Sequence, residues 1–327
     1  MFRRGGKRLG LPSGADSSGM HACNCVATCQ ICQVGMGLAI LHRLDGMIDR
    51  RTLLASSAAA LLPLEAKTLK TFGVQLYTLR SIIDKNPLEV LKALEGQGFT
   101  EAEVIRGNMD KIWDALKQTK LKPVSLHVDT SYFFKDIDKL NPTLDDAKAK
   151  GFQYAVCPYI APADRGGVDV IKKLAEVLNK TGQKVKAAGM SLCYHNHAFE
   201  FEPVAGTKDN LLDVLMANTD KSLVSLELDI MWSQVGGVPP VQVLEKYKGR
   251  IPLMHLKNVT KIAPQYNERV PKEAFQTLGE GVIQVPELLK AATKNGVKHF
   301  FIEQDQTPGN PLDSTKKSAD YLKGLSF

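Results

Sequence analysis

Eight short apolar runs, separated by stretches of helical periodicity, recur between residues 72 and 304 of this 327-residue chain. No other feature limits its possible folds so tightly. The runs are F-G-V-Q-L-Y (72–77), T-E-A-E-V-I (100–105), P-V-S-L-H-V (123–128), Y-A-V-C-P-Y (154–159), S-L-C-Y-H-N (191–196), L-V-S-L-E-L-D (223–229), P-L-M-H-L-K (252–257) and H-F-F-I-E-Q (299–304). Each has strand length and composition. Between them lie helical patterns such as P-L-E-V-L-K-A-L-E (87–95), opened by a proline, and V-I-K-K-L-A-E-V-L-N-K (170–180). Four of the helical stretches end in glycine followed by a hydrophobic residue: Gly98-Phe99, Gly151-Phe152, Gly189-Met190 and Gly296-Val297. Glycine there supplies a left-handed helix cap. Strand–helix alternation repeated eight times predicts an α/β protein, a single (β/α)8 TIM barrel. A doubly wound sheet is the alternative, but no G-x-G-x-x-G follows any strand.

The barrel occupies residues 67–327 in this reading. Upstream, M-I-D-R-R-T-L-L-A-S-S-A-A-A-L-L-P-L-E-A (47–66) pairs Arg50 and Arg51 with a 13-residue apolar stretch, Thr52–Leu64. Crossing a bilayer takes about 20 residues, so this is too short to span one. It has the shape of a twin-arginine export leader, and the expected location is periplasmic or secreted; an amphipathic first helix is the alternative. Residues 1–46 precede that leader and read as an untranslated upstream extension or a disordered segment. They hold Cys23, Cys25, Cys29 and Cys32, a spacing that suits zinc only if the segment is translated. The rest keeps Cys157 and Cys193, too few for a disulfide framework. Of the formal charge of +7, +3 falls in residues 1–66, and no basic stripe marks a nucleic-acid surface.

In such barrels the active site lies at the C-terminal strand ends, and alternate side chains face the axis. Residues 67–327 hold five histidines, His127, His195, His197, His255 and His299, four of them at or near strand ends. Spacing by two also pairs Glu101 with Glu103, His195 with His197 above Cys193, Glu227 with Asp229, His255 with Lys257, and Glu303 with Asp305. Buried charges need a partner or a metal. A ring of imidazoles and carboxylates at one mouth therefore points to a divalent cation or a catalytic network.

The motifs G-V-Q-L-Y-T-L-R (73–80), Y-H-N-H-A-F-E-F (194–201), L-E-L-D-I-M-W (226–232), H-L-K-N (255–258), L-G-E-G-V-I (278–283) and E-Q-D-Q-T-P-G (303–309), in this order, resemble the xylose-isomerase-like TIM-barrel superfamily of sugar phosphate isomerases and epimerases, in an exported group carrying Y-H-N-H-x-F-E-F. The resemblance implies one divalent metal (Mn, Co, Zn, Fe or Mg) held by a residue from each of strands five to eight. Asp229, His255 and Glu303 match. At strand five many relatives carry Glu-Asn-His where this chain has His195-Asn196-His197, so His195 stands as the fourth ligand, with His197 or Glu200 as alternatives.

The reading that follows is a metal-dependent isomerase or epimerase acting on a sugar or keto-sugar through an enediolate-type intermediate. His197, Glu200 and His127 are the catalytic candidates, and Gln75, Tyr77, Glu103, Trp232 and Lys257 the substrate-binding ones. Elimination shares the enediolate step, so a 3-keto-glycoside lyase or hydrolase, or a keto-polyol dehydratase, is the alternative. Export and the short, acidic G-E-G (279–281) argue for an unphosphorylated carbohydrate. A non-catalytic secreted sugar-binding protein would predict broken ligands. A DNA-acting endonuclease of the same superfamily would need more metal ligands and basic loops. The expected partner is a small carbohydrate, with no nucleic acid and no membrane once the leader is removed; homo-oligomerisation is compatible with the sequence.

Overall fold

The computed structural model describes residues 68–327; the expected leader, the upstream extension and its four cysteines lie outside the described residues. Eight parallel strands form a closed barrel: β1 (Gly73–Gln75), β2 (Glu101–Ile105), β3 (Lys122–His127), β4 (Tyr154–Cys157), β5 (Ser191–His195), β6 (Val224–Asp229), β7 (Leu253–Leu256) and β8 (His299–Ile302). Each strand falls on one of the eight apolar runs, β3 starting one residue earlier at Lys122. Closure is made by β1, which pairs with both β2 and β8; a doubly wound sheet would leave those edges open.

Helices follow the strands, and glycine sets where several of them stop. Gly98, Gly151, Gly189 and Gly296 all have φ between 74° and 95°. At each, the next residue's N–H bonds back to a carbonyl five positions earlier: Phe99 to Leu94, Phe152 to Ala147, Met190 to Val185 and Val297 to Ala292. A side chain at the left-handed position would strain the turn. The same device four times delivers a hydrophobic residue straight into the loop before the next strand.

Inward-facing residues form layers. At the N-terminal end His299 Nδ1 meets Glu101 Oε2 at 2.9 Å, so this histidine is remote from the mouth. Above it Val124, Tyr154, Val156, Cys193, Leu253 and Phe301 plug the barrel. Over that apolar floor the inward positions turn polar. The register sets Gln75 beside Glu103, Glu103 beside Ser125, His195 beside Glu227 and Asp229 beside His255. The chemistry-bearing side chains therefore meet at one end of the barrel. Among the described residues no helix is long and apolar enough to cross a membrane.

Candidate metal centre

Local structure aims the uppermost groups. Asp229 ends β6 and caps the helix Ile230–Val235: its Oδ1 accepts from the Trp232 N–H at 3.0 Å. A carboxylate at a helix N-terminus is favourable, and using Oδ1 there leaves Oδ2 facing the mouth. Asn196 fixes the same point from β5, donating to Asp229 O (3.2 Å) and accepting from Asp229 N (3.0 Å). His255 Nδ1 lies 2.7 Å from Glu303 Oε2, and Lys257 Nζ lies 2.8 Å from Asp229 Oδ2, 2.7 Å from Glu303 Oε2 and 3.0 Å from Asp305 Oδ2. Burial opposes the Lys257 charge, but the carboxylates outweigh it and hold its pKa well above the ordinary lysine value.

A second layer lies beneath. The Gln75 carbonyl oxygen accepts from Tyr77 N while its amide donates to Glu103 Oε2, each at 2.9 Å. Glu103 also accepts from Ser125 and meets His127 Nε2 at 3.1 Å and His255 Nε2 at 2.5 Å. Glu227 Oε2 stands 2.9 Å from His127 Nε2, 3.1 Å from His195 Nδ1 and 3.5 Å from His255 Nε2. Burial would lower the pKa of His127, yet the charges of Glu103 and Glu227 push it up to about 9. Burial and the neighbouring imidazoles instead hold His195 well below the ordinary value.

A cavity of about 820 Å³ opens over these layers, lined among others by Tyr77, His127, His195, His197, Trp232, Lys257, Glu303 and Asp305. His197 sits in an aromatic frame, 5.4 Å from the Trp232 ring, 4.9 Å from Tyr159 and 5.1 Å from His195. Its Nδ1 has no hydrogen-bond partner. Burial, then the positive charges of Lys257 and Arg165, keep it well below the ordinary histidine pKa. The roof comes from the segment between the short strands Asn258–Val259 and Phe275–Gln276. Glu268, the one non-glycine residue with positive φ (58°) among the described residues, forms a forked pair with Arg165 there, at 2.8 and 3.0 Å.

Several expected roles shift. Glu200 does not reach the cavity. It is fully buried, accepting from Tyr194 Oη at 2.6 Å and from His197 N–H at 2.9 Å, and burial raises its pKa to about 8. Tyr194 points to the opposite side of β5 from His195, so Glu200 braces the turn that presents His197 from outside the cavity. Gln75 and Glu103 are also fully buried and do not line the cavity: Glu103 meets His127 and His255 from below, and Gln75 holds Glu103. Tyr77, Trp232 and Lys257 do line the cavity. Glu227, Asp305, Tyr159, Arg165 and Glu268 were missed as site residues. The alternation in L-E-L-D pointed to Glu227; nothing in the sequence pointed to the Arg165–Glu268 pair. The G-E-G turn has a packing role: a Cβ on Gly281 would collide with the Asn258 side chain and the Val259 carbonyl.

Ligand-type atoms gather in two groups, each within 4.8 Å: Asp229, His255 and Glu303; and His127, His195, Glu227 and His255. Three of the four expected ligands are therefore together, while His195 belongs with the lower group, its Nε2 3.6 Å from Asp229 Oδ2. Buried Asp229 Oδ2 has the Lys257 ammonium at 2.8 Å as its close partner. Two carboxylates and an imidazole with ligand atoms within 4.8 Å of one another are a donor set that fits a divalent ion.

Fold and site together define a (β/α)8 barrel with a histidine–carboxylate centre at the C-terminal mouth. The family described as xylose isomerase-like TIM barrel matches residues 91–325, and the chain belongs to it. An inosose dehydratase of Clostridium perfringens is 32% identical over 163 residues, 46% of this chain and 54% of that protein; the chain spans about half the length of the curated relatives it matches. A sugar phosphate isomerase/epimerase from Parabacteroides distasonis superposes with a TM-score of 0.67 at 24% identity, over 79% of this chain and 99% of the other. The IOLI protein with a bound zinc atom gives 0.60 at 16%, over 79% and 99%. At these identities the two structures bear on the fold alone.

Proposed function

We propose that the chain is a divalent-metal-dependent enzyme that removes the proton beside the carbonyl of an unphosphorylated keto-sugar or keto-polyol and then eliminates a β-hydroxyl. The observation that carries this reading is the His197 imidazole, which lines the cavity and has its inner nitrogen unbonded. His197 Nδ1 has no partner, whereas the buried carboxylates of the mouth are all engaged: Asp229, Glu303 and Asp305 by Lys257, and Glu103 and Glu227 by imidazoles. Two-carboxylate epimerisation has no pair of free groups to use.

Asp229, His255 and Glu303 would hold the ion, and a divalent ion there supplies Lewis-acid polarisation of a carbonyl or hydroxyl oxygen. The chain's own residues do the rest. Trp232 and Tyr77 offer ring faces to the carbon skeleton and set the carbonyl toward Lys257, whose ammonium neutralises the oxygen as charge develops. His197 takes the α-proton, and the resulting imidazolium returns it to the departing β-hydroxyl on the same face: the C–H and C–O bonds break, a C=C bond forms and water leaves. Isomerisation shares the first half of this sequence; likeness to an inosose dehydratase supports elimination. The leader-like segment 47–66 supports a periplasmic or secreted setting, where unphosphorylated carbohydrate is the available substrate. Homo-oligomers are compatible with this reading.

The test is proton exchange. Metal-loaded enzyme in D₂O, given a panel of keto-sugars and keto-polyols, should incorporate deuterium at the α-carbon and release an unsaturated ketone by NMR. His197→Gln should slow exchange by about 10²-fold or more. Exchange that yields an isomer without loss of water would replace elimination by isomerisation. Metal binding with no exchange on any substrate would leave a sugar-binding protein.

A further inference from the structure

The lower cluster is not absorbed by this mechanism. Strands β3, β5, β6 and β7 each send one side chain to a common point on the axis, and the shared oxygen is Glu227 Oε2. Around it stand His127 Nε2 at 2.9 Å, His195 Nδ1 at 3.1 Å and His255 Nε2 at 3.5 Å. We propose that these four groups form a second binding site, for a zinc-class divalent ion, adjoining the Asp229–His255–Glu303 set and sharing His255 with it.

The spacing at which His127 and His195 hydrogen-bond Glu227 Oε2 also fits a coordination shell. Ligand atoms at about 2.05 Å from a tetrahedral ion lie roughly 3.3 Å from one another. The three edges measured from Glu227 Oε2 bracket that value, and all four ligand atoms fall within 4.8 Å. The carboxylate is also used unevenly. Three imidazole nitrogens crowd Oε2, while buried Oε1 has no partner at all. An ionised carboxylate accepting hydrogen bonds would share them over both oxygens; a carboxylate binding an ion through one oxygen need not.

Donor chemistry and charge agree. Three imidazoles and one carboxylate suit Zn²⁺, or Co²⁺ in its place, better than the harder Mg²⁺. Glu103 and Glu227 are both fully buried, and two buried negative charges need two positive ones. A divalent ion would supply both at one point in place of the imidazole protons that Glu103 Oε2 now meets, 3.1 Å from His127 Nε2 and 2.5 Å from His255 Nε2. Gln75 and Ser125 in turn fix Glu103. His127 and His195 line the cavity, which gives an ion its route in. His255 belongs to both sets, with Nδ1 upward to Glu303 and Nε2 downward, so filling both at once releases its ring proton and makes it a bridging imidazolate.

The experiment counts ions and reads no turnover, so its failure is separate from failure of the proposed reaction. The full chain, with Cys23→Ser, Cys25→Ser, Cys29→Ser and Cys32→Ser to silence upstream thiolates, is stripped of metal and titrated with Zn²⁺, then with Co²⁺ followed by its visible absorption. About two equivalents of zinc are expected. Asp229→Asn with Glu303→Gln should leave about one, with the intense visible band of a four-coordinate nitrogen-rich cobalt site. Glu227→Gln or His127→Gln, checked for folding by circular dichroism, should abolish that band. A parent that binds a single equivalent, lost on changing Asp229 and Glu303, overturns the proposal. So does a cobalt band that persists when Glu227 and His127 are each replaced.

Discussion

Lys257 provides the sharpest test of how the mouth is held together. Its ammonium lies within 3.0 Å of three carboxylates, Asp229, Glu303 and Asp305, and is almost wholly buried. Lys257→Met keeps most of the side-chain volume and removes the charge. Asp229 and Glu303 are then left with no ammonium, and Asp229 keeps only distant imidazole contacts, 3.6 Å from His195 and 4.0 Å from His255. Removing one partner of a buried ion pair costs about 3–5 kcal/mol. In a barrel of this size each kcal/mol moves Tm by about 2–4 °C, so the expected loss is about 6–20 °C. The assay is thermal denaturation by circular dichroism at pH 7.5, first with a chelator and then with excess Mn²⁺ or Zn²⁺. If Asp229 and Glu303 are metal ligands, added ion replaces the missing charge and raises the variant's Tm by more than the parent's. A variant melting within about 2 °C of the parent in chelator would refute the claim that the ammonium balances this cage. Equal stabilisation of both proteins by metal would refute the ligand assignment.

Three further outcomes can be checked. Because the folded-state pKa of Glu200 is raised from the ordinary 4.5 to about 8, the native state binds the extra proton between those values. Its contribution is full below pH 4.5 and lost as pH rises through 8, a change on the order of 4 kcal/mol; urea denaturation across pH 5–9 should show this decline in the parent and a flatter profile in Glu200→Gln. Gly281→Ala should destabilise by about 1–3 kcal/mol, since the new methyl meets the Asn258 side chain and the Val259 carbonyl; an unchanged Tm would show that the turn relaxes freely. Arg165→Ala unpairs Glu268, which already holds an unfavourable φ of 58°, and cleavage within residues 260–274 should become several-fold faster in limited proteolysis. Equal cleavage rates would mean that the pair does not secure the roof.

Much of the barrel was legible in the chain because its signals are local. The glycine after each of four helices, the proline opening the helix at Pro87 and the apolar runs each act within a few residues. Alternation by two also correctly grouped Glu227 with Asp229, His255 with Lys257 and Glu303 with Asp305 on the inward face. Depth was not legible. Gln75 and Glu103 lie on the inward parity, yet they do not line the cavity. Glu200, six residues from Tyr194 on a short helical turn, folds back to that side chain instead of toward the axis.

The sequence by itself determined the eightfold strand–helix alternation, the parity of each strand and the kinds of donor carried to the barrel's open end, because periodicity and capping act over a few residues. Only the tertiary structure decided which donors meet. That depends on the stagger of neighbouring strands around a closed barrel, which places His195 beside Glu227 and Asp229 beside His255. The resulting distances of about 3 Å separate an upper and a lower group of ligands that no spacing along the chain distinguishes.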